Sequence, residues 1–101
     1  MAAPALPTAF DLNYADETYR IEILDHTRLR WTRTAGPEPG VTDEERYVAT
    51  ELGEQRWLIT WIEATGLGLT SAIDLATGQL ITHANEDRSV FENPGTITTA
   101  R

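Results

Sequence analysis

Glu63 closes the segment Gln55-Arg-Trp-Leu-Ile-Thr-Trp-Ile-Glu63, in which Trp57, Ile59, Trp61 and Glu63 recur at every second position. Side chains of an extended strand alternate between its faces, so these four share one side. A carboxylate at the end of an apolar stripe costs several kcal/mol to bury unless it is paired or protonated. If Glu63 faces an interior, apolar walls raise its pKa and make it a proton donor near neutrality. If it lies just past the strand end, it faces water beside Thr65.

Arg46 lies between Glu45 and Tyr47, in phase with Glu44 and Val48. Pointing inward, its guanidinium would hold a carboxylate bidentately or pair with Glu63; pointing outward, it is a solvated Arg among acids. Tyr14 shares a face with Phe10 and Leu12, where its phenol either orients a ligand or packs in a core. His83 and Ser71 are candidates to line the same cavity, whereas His26 reads as a loop residue. No Gly-x-Ser-x-Gly elbow surrounds Ser71, no glycine-rich phosphate loop is present, and the two histidines fall in no metal-ligand spacing, so no metal is expected.

The 101 residues have room for one domain. Without cysteine there are no disulfides, thiolate nucleophiles or zinc-thiolate sites, which agrees with a reducing compartment, and the cytoplasm is the expected location. The eight basic residues are all Arg, and the missing Lys removes Schiff-base chemistry and a P-loop. A net charge of -8 repels nucleic acid and anionic lipid, and no apolar run is long enough to cross a bilayer as a helix. The start Met1-Ala-Ala-Pro-Ala-Leu-Pro7 lacks a basic signal region, and residues 1–8 read as a frayed tail before a domain over 9–101.

The elements that must position these residues have a period near two and are punctuated by Gly, Pro, Asp and Asn. Phe10–Tyr14 alternates as a strand. Tyr19–Leu24 and Leu29–Arg33 form a hairpin, and a three-residue loop at Asp25-His26-Thr27 sets Ile23 opposite Leu29, Ile21 opposite Trp31 and Glu22 opposite Arg30. The segment 34–40 reads as a loop. Strand character resumes over Glu44–Thr50, followed by the segment ending at Glu63. A second hairpin joins Leu67–Leu75 to Gln79–Ala84 around Ala76-Thr-Gly78, which would set Ile73 opposite Ile81 and Ser71 opposite His83. Ser89–Phe91 is a short strand, and Asn93-Pro-Gly95 a turn. Seven or eight such strands call for a barrel or a sandwich, and consecutive hairpins favour an all-β, single, small antiparallel meander barrel of about eight strands. At that size the interior holds packed side chains or one small ligand.

The segments Phe10-Asp-Leu-Asn-Tyr14, Tyr19-Arg-Ile-Glu-Ile23, Arg46-Tyr47 and Thr60-Trp-Ile-Glu-Ala-Thr-Gly66 resemble the small calycin-type barrels of the phenolic acid decarboxylases and the related MoaF-like proteins. Asp74-Leu-Ala-Thr-Gly78 and Gly95-Thr-Ile97 look more like the MoaF-like branch. The resemblance implies a cofactor-free site in which Glu63 matches the family's Glu, Arg46 its Arg, and Tyr14 one of two tyrosines on the first strand. Leu12 stands at the position of the other tyrosine, which departs from the hydroxycinnamate decarboxylase pattern. The resemblance also implies a homodimer.

The expected function is proton transfer on a small aromatic or unsaturated acid, without metal or nucleotide cofactor, by a lyase, isomerase or cyclase. Glu63 would shuttle the proton, Arg46 hold an oxyanion and Tyr14 orient the substrate. Trp31, Trp57, Trp61, Leu69 and Ile81 would wall the cavity, with Tyr19, Ser71 and His83 as further ligand contacts. The competing expectations are a non-catalytic carrier or sensor using the same cavity, and a partner-binding domain with a filled interior.

Overall fold

The computed structural model describes residues 6–99. Eight antiparallel strands close into a barrel in simple meander order: β1 (Ala9–Tyr14), β2 (Thr18–Ile23), β3 (Arg28–Ala35), β4 (Thr42–Gly53), β5 (Arg56–Ile62), β6 (Gly68–Asp74), β7 (Gln79–Glu86) and β8 (Ser89–Thr99). Among the described residues no helix is long and apolar enough to cross a membrane. Closure comes from β8 pairing with β1, with Leu12 opposite Ile97 and Tyr14 opposite Gly95. Gly95 is required there, because a Cβ at that position would run into the Asn13 carbonyl oxygen and the Leu80 side chain. Closing the sheet leaves no edge strand among the described residues.

The first hairpin has the register the apolar pairing demands: Ile21 faces Trp31, Glu22 faces Arg30 and Ile23 faces Leu29. Asp25 fixes the loop by accepting from the Thr27 and Arg28 amides at 2.8 and 2.9 Å, so Thr27 takes no left-handed conformation. Two expectations are corrected. Residues 89–99 form one continuous strand rather than a short strand and a turn. The Ile97 amide donates to the Gly78 carbonyl, so amides at alternate positions of β8 face β7 and the Pro94 nitrogen faces away from it, on the side where the β1 ladder reaches only to Gly95; the missing N–H therefore interrupts neither ladder. The loop expected over 34–40 begins later, since Thr34 and Ala35 still belong to β3, and Ala35 pairs with Thr18.

The core fills one end of the barrel. Phe10, Ile21, Leu29, Ile59 and Leu80 are at most 1 % exposed, joined by Leu12, Ile73 and Ile97. Leu6 packs against this cluster, and the Thr8 carbonyl accepts from the Ile23 amide at 2.8 Å; residues 1–5 of the tail expected over 1–8 lie outside the described residues. At the other end, where β1, β3, β5 and β7 finish, polar side chains replace aliphatic ones and the interior opens.

Candidate active site at the barrel mouth

The mouth holds a cavity of about 230 Å³. Its walls are Trp31, Trp61, Leu12, Leu67, Leu69, Ala84 and Phe91, and its polar groups are Tyr14, Glu17, Tyr19, Arg33, Glu63, Thr82 and Asn93. An apolar pocket with a few convergent polar groups is the usual form of a small-molecule site.

Glu63 is the first residue past β5, yet its side chain turns into the cavity. The backbone dictates this turn: the Glu63 amide donates to the Leu67 carbonyl and the Gly66 amide to the Glu63 carbonyl, both at 2.8 Å, with Gly66 at a φ of 95°. The carboxylate accepts one side-chain hydrogen bond, from the Trp61 indole at 3.3 Å. Burial pushes its pKa up and outweighs that bond. Glu45 and Asp43 push the same way, against Arg33.

The cation of the cavity is Arg33, not Arg46. Tyr47 lies directly opposite Trp61, so Tyr47 shares the inner face and Arg46, one residue away, projects to the exposed outer face beside Val48 and Ile62. Arg33 follows Trp31 by two residues on β3 and faces inward with it. Its Nε donates to the Tyr19 hydroxyl at 3.2 Å and lies 3.4 Å from a Glu17 carboxylate oxygen, while Nη1 donates to the Pro37 carbonyl at 2.9 Å. The guanidinium carbon stands 5.4 Å from the Tyr19 ring centre, within cation–π range. The Tyr19 hydroxyl donates in turn to Glu17 at 3.0 Å.

A chain of hydroxyls runs from the cavity into the wall. Tyr14 and Thr82 are 2.6 Å apart, and Thr82 and Ser71 2.8 Å. Ser71 and Thr82 are fully buried, so this chain supplies their hydrogen bonds. Burial raises the Tyr14 pKa, with its hydrogen bonds acting in the opposite sense, and burial likewise raises that of Tyr19. Both phenols are therefore neutral donors at physiological pH.

The sequence expectations divide clearly. Glu63, Tyr14, Tyr19, Trp31, Trp61 and Leu69 line the cavity. Ser71 stands behind Thr82 and reaches the site only through it. Trp57 faces inward at the opposite end, near Ile23, Tyr47 and Ala49. Ile81 and His83 are on the outer face, and His83 lies 3.9 Å from Glu92. The reason is a one-residue register difference: the β6–β7 loop has four residues, so Ile73 pairs with Leu80 and Ser71 with Thr82. Asp74 accepts from the Ala76 and Thr77 amides, and the Gly78 amide returns to the Asp74 carbonyl at 2.8 Å. An Asp that can fold the chain back on itself was the available signal for the longer loop. Arg33, Glu17, Thr82 and Asn93 were missed as site residues. The phase of Arg33 with Leu29 and Trp31 points to it, whereas Glu17 sits in a turn with no periodic pattern.

A family model described as MoaF-like matches residues 8–98. The chain belongs to the MoaF-like family. No curated protein matches the sequence significantly. Among solved structures, this MoaF-like barrel superposes with a TM-score of 0.86 on a protein from Burkholderia vietnamiensis described as a "putative beta-lactamase", over 99 % of this chain and 100 % of that one, at 21 % identity. At that identity the likeness establishes the fold alone.

Proposed function

We propose that the mouth of this MoaF-like barrel binds a small aromatic or unsaturated acid and exchanges a proton with it. Glu63 carries the proton, Arg33 takes the oxyanion-holding role expected of Arg46, and Tyr14 donates a hydrogen bond from the cavity floor. The observation that carries this reading is a carboxylate whose pKa is raised by burial, in the same cavity as a guanidinium and two tryptophans. An entering anion raises the Glu63 pKa further, so ligand binding itself favours the protonated donor. Trp31 and Trp61 supply flat apolar walls for a conjugated body. Lyase, isomerase and cyclase outcomes all share this proton step, and this set of residues calls on no cofactor for it. A lactamase of the serine type is disfavoured because the chain contains no Lys to activate a nucleophile.

The test uses trans-cinnamate and 4-hydroxycinnamate as probes, with proton–deuterium exchange and product formation in D₂O followed by NMR, and binding by calorimetry. Glu63→Gln should bind within about twofold of the wild type but lose on the order of 10²-fold or more in rate. Arg33→Met should weaken binding, whereas Arg46→Ala should change neither quantity. Undiminished exchange by Glu63→Gln would refute the acid–base role. Saturable binding without exchange by the wild type would favour the carrier.

A further inference from the structure

Arg33 already has an anion against it. Glu17 is in the short turn between β1 and β2, and its carboxylate lies 3.4 Å from Arg33 Nε while accepting from the Tyr19 hydroxyl at 3.0 Å. The turn is braced by the Tyr14 amide donating to the Glu17 carbonyl at 2.8 Å. It is also seated against the β3–β4 loop at Gly36, where a Cβ would come within 2.9 Å of the Asp16 carbonyl oxygen and 3.1 Å of Glu17 Cγ. Gly36 has a φ of 110°, so the close approach and the backbone conformation both require glycine. Glu17 and Arg33 both line the cavity, and their side chains keep 30 % and 20 % of their exposure. The pair is thus at the rim, accessible to a ligand.

We propose that Glu17 is a tethered stand-in for the ligand's anionic group, competing with it for Arg33 and so setting which acids the barrel accepts. This rests on the ligand class proposed above. A carboxylate reaching Arg33 must either displace Glu17 or bind beside it, and like charges at that spacing repel strongly in a partly enclosed site. Arg33 directs Nε and Nη1 to protein groups, and a ligand that displaces Glu17 regains the Nε face and the Tyr19 hydroxyl together. Acids that bind through their charge alone are excluded by this competition, while an acid with enough apolar body to use Trp31 and Trp61 overcomes it. The Glu17 turn is thereby a specificity element, distinct from the proton-transferring Glu63.

The deciding experiment titrates trans-cinnamate and the uncharged trans-cinnamamide into the wild type, Glu17→Gln, Glu17→Ser and Glu17→Gln/Arg33→Met by calorimetry. Removing the tethered charge should tighten cinnamate binding about fivefold or more, in line with one partly exposed ion pair and one like-charge contact, with cinnamamide changed less than twofold. The gain should vanish in the double variant. Glu17→Ser, which also removes the side chain's length, should reproduce the gain. Equal affinity for cinnamate in the wild type and both single variants, equal shifts for acid and amide, or no saturable cinnamate binding by either Glu17 variant would each overturn the proposal. Because binding is read without turnover, a failure of Glu63 to transfer protons leaves this outcome unaffected.

Discussion

The two ends of one barrel, built from the same strands, have opposite characters. At the closed end Phe10, Ile21, Leu29, Ile59 and Leu80 bury themselves almost completely, and shape alone selects the neighbours. At the mouth the inward positions of the same strands carry Tyr14, Tyr19, Arg33 and, just beyond β5, Glu63, each partly exposed and each with a hydrogen-bonding partner. A sheet closed into eight strands has about the same width along its length, so filling one end with aliphatics and lining the other with planar and polar groups leaves room only at the second. The lesson is a division of labour: the closed end supplies the folding energy that lets the mouth keep a half-buried carboxylate and an unfilled volume.

Leu29→Ala at the closed end should produce the largest effect on stability, a loss of about 3 kcal/mol, because the packed end cannot collapse around a missing side chain. Urea denaturation measures it, and a loss below about 1 kcal/mol would show that the two ends are packed alike. Thr82→Val, at the boundary between the ends, keeps the volume but severs Tyr14 from Ser71. It should cost about 1–3 kcal/mol through the unsatisfied buried hydroxyl, and the loss should shrink when combined with Ser71→Ala.

The smallest effect, and the one that separates the ends by sign, belongs to Glu63→Gln. Because the folded-state pKa of Glu63 lies above its ordinary value of 4.5, the native protein binds more protons than the unfolded chain between the two values. Its contribution to stability is therefore greatest at low pH and is lost as pH rises from 4.5 through the raised value. Glu63→Gln should be slightly more stable than the wild type at neutral pH, with the difference shrinking toward pH 4.5 in thermal melts. A variant less stable than the wild type at neutral pH would mean that the ionised carboxylate is satisfied in the mouth after all.

How legible each feature was followed from the kind of information it needed. The β2–β3 register could be read because apolar and charged pairs on opposite faces agree on one alignment. Tyr14, Trp31 and Trp61 could be placed by alternation alone, whereas Glu63 lies just past β5 and its inward direction depends on the turn to Leu67. Arg46 could not, because on a strand as acidic as Glu44-Glu45-Arg46 neither phase is apolar enough to declare itself. His83 and Ile81 were misplaced by a single residue of loop length, which in a period-two structure moves a whole strand's side chains to the other face.

The chain by itself determined an all-β fold, the meander of hairpins and the identity of the acid at the end of the tryptophan stripe, because alternation and turn chemistry are local properties. Only the closed barrel decided which arginine shares the cavity with that acid, that Thr82 rather than His83 faces it, and that Glu17 reaches across from a turn to Arg33. Those contacts join strands and loops whose relative positions depend on loop lengths and on barrel closure, and neither leaves a periodic trace in the order of residues.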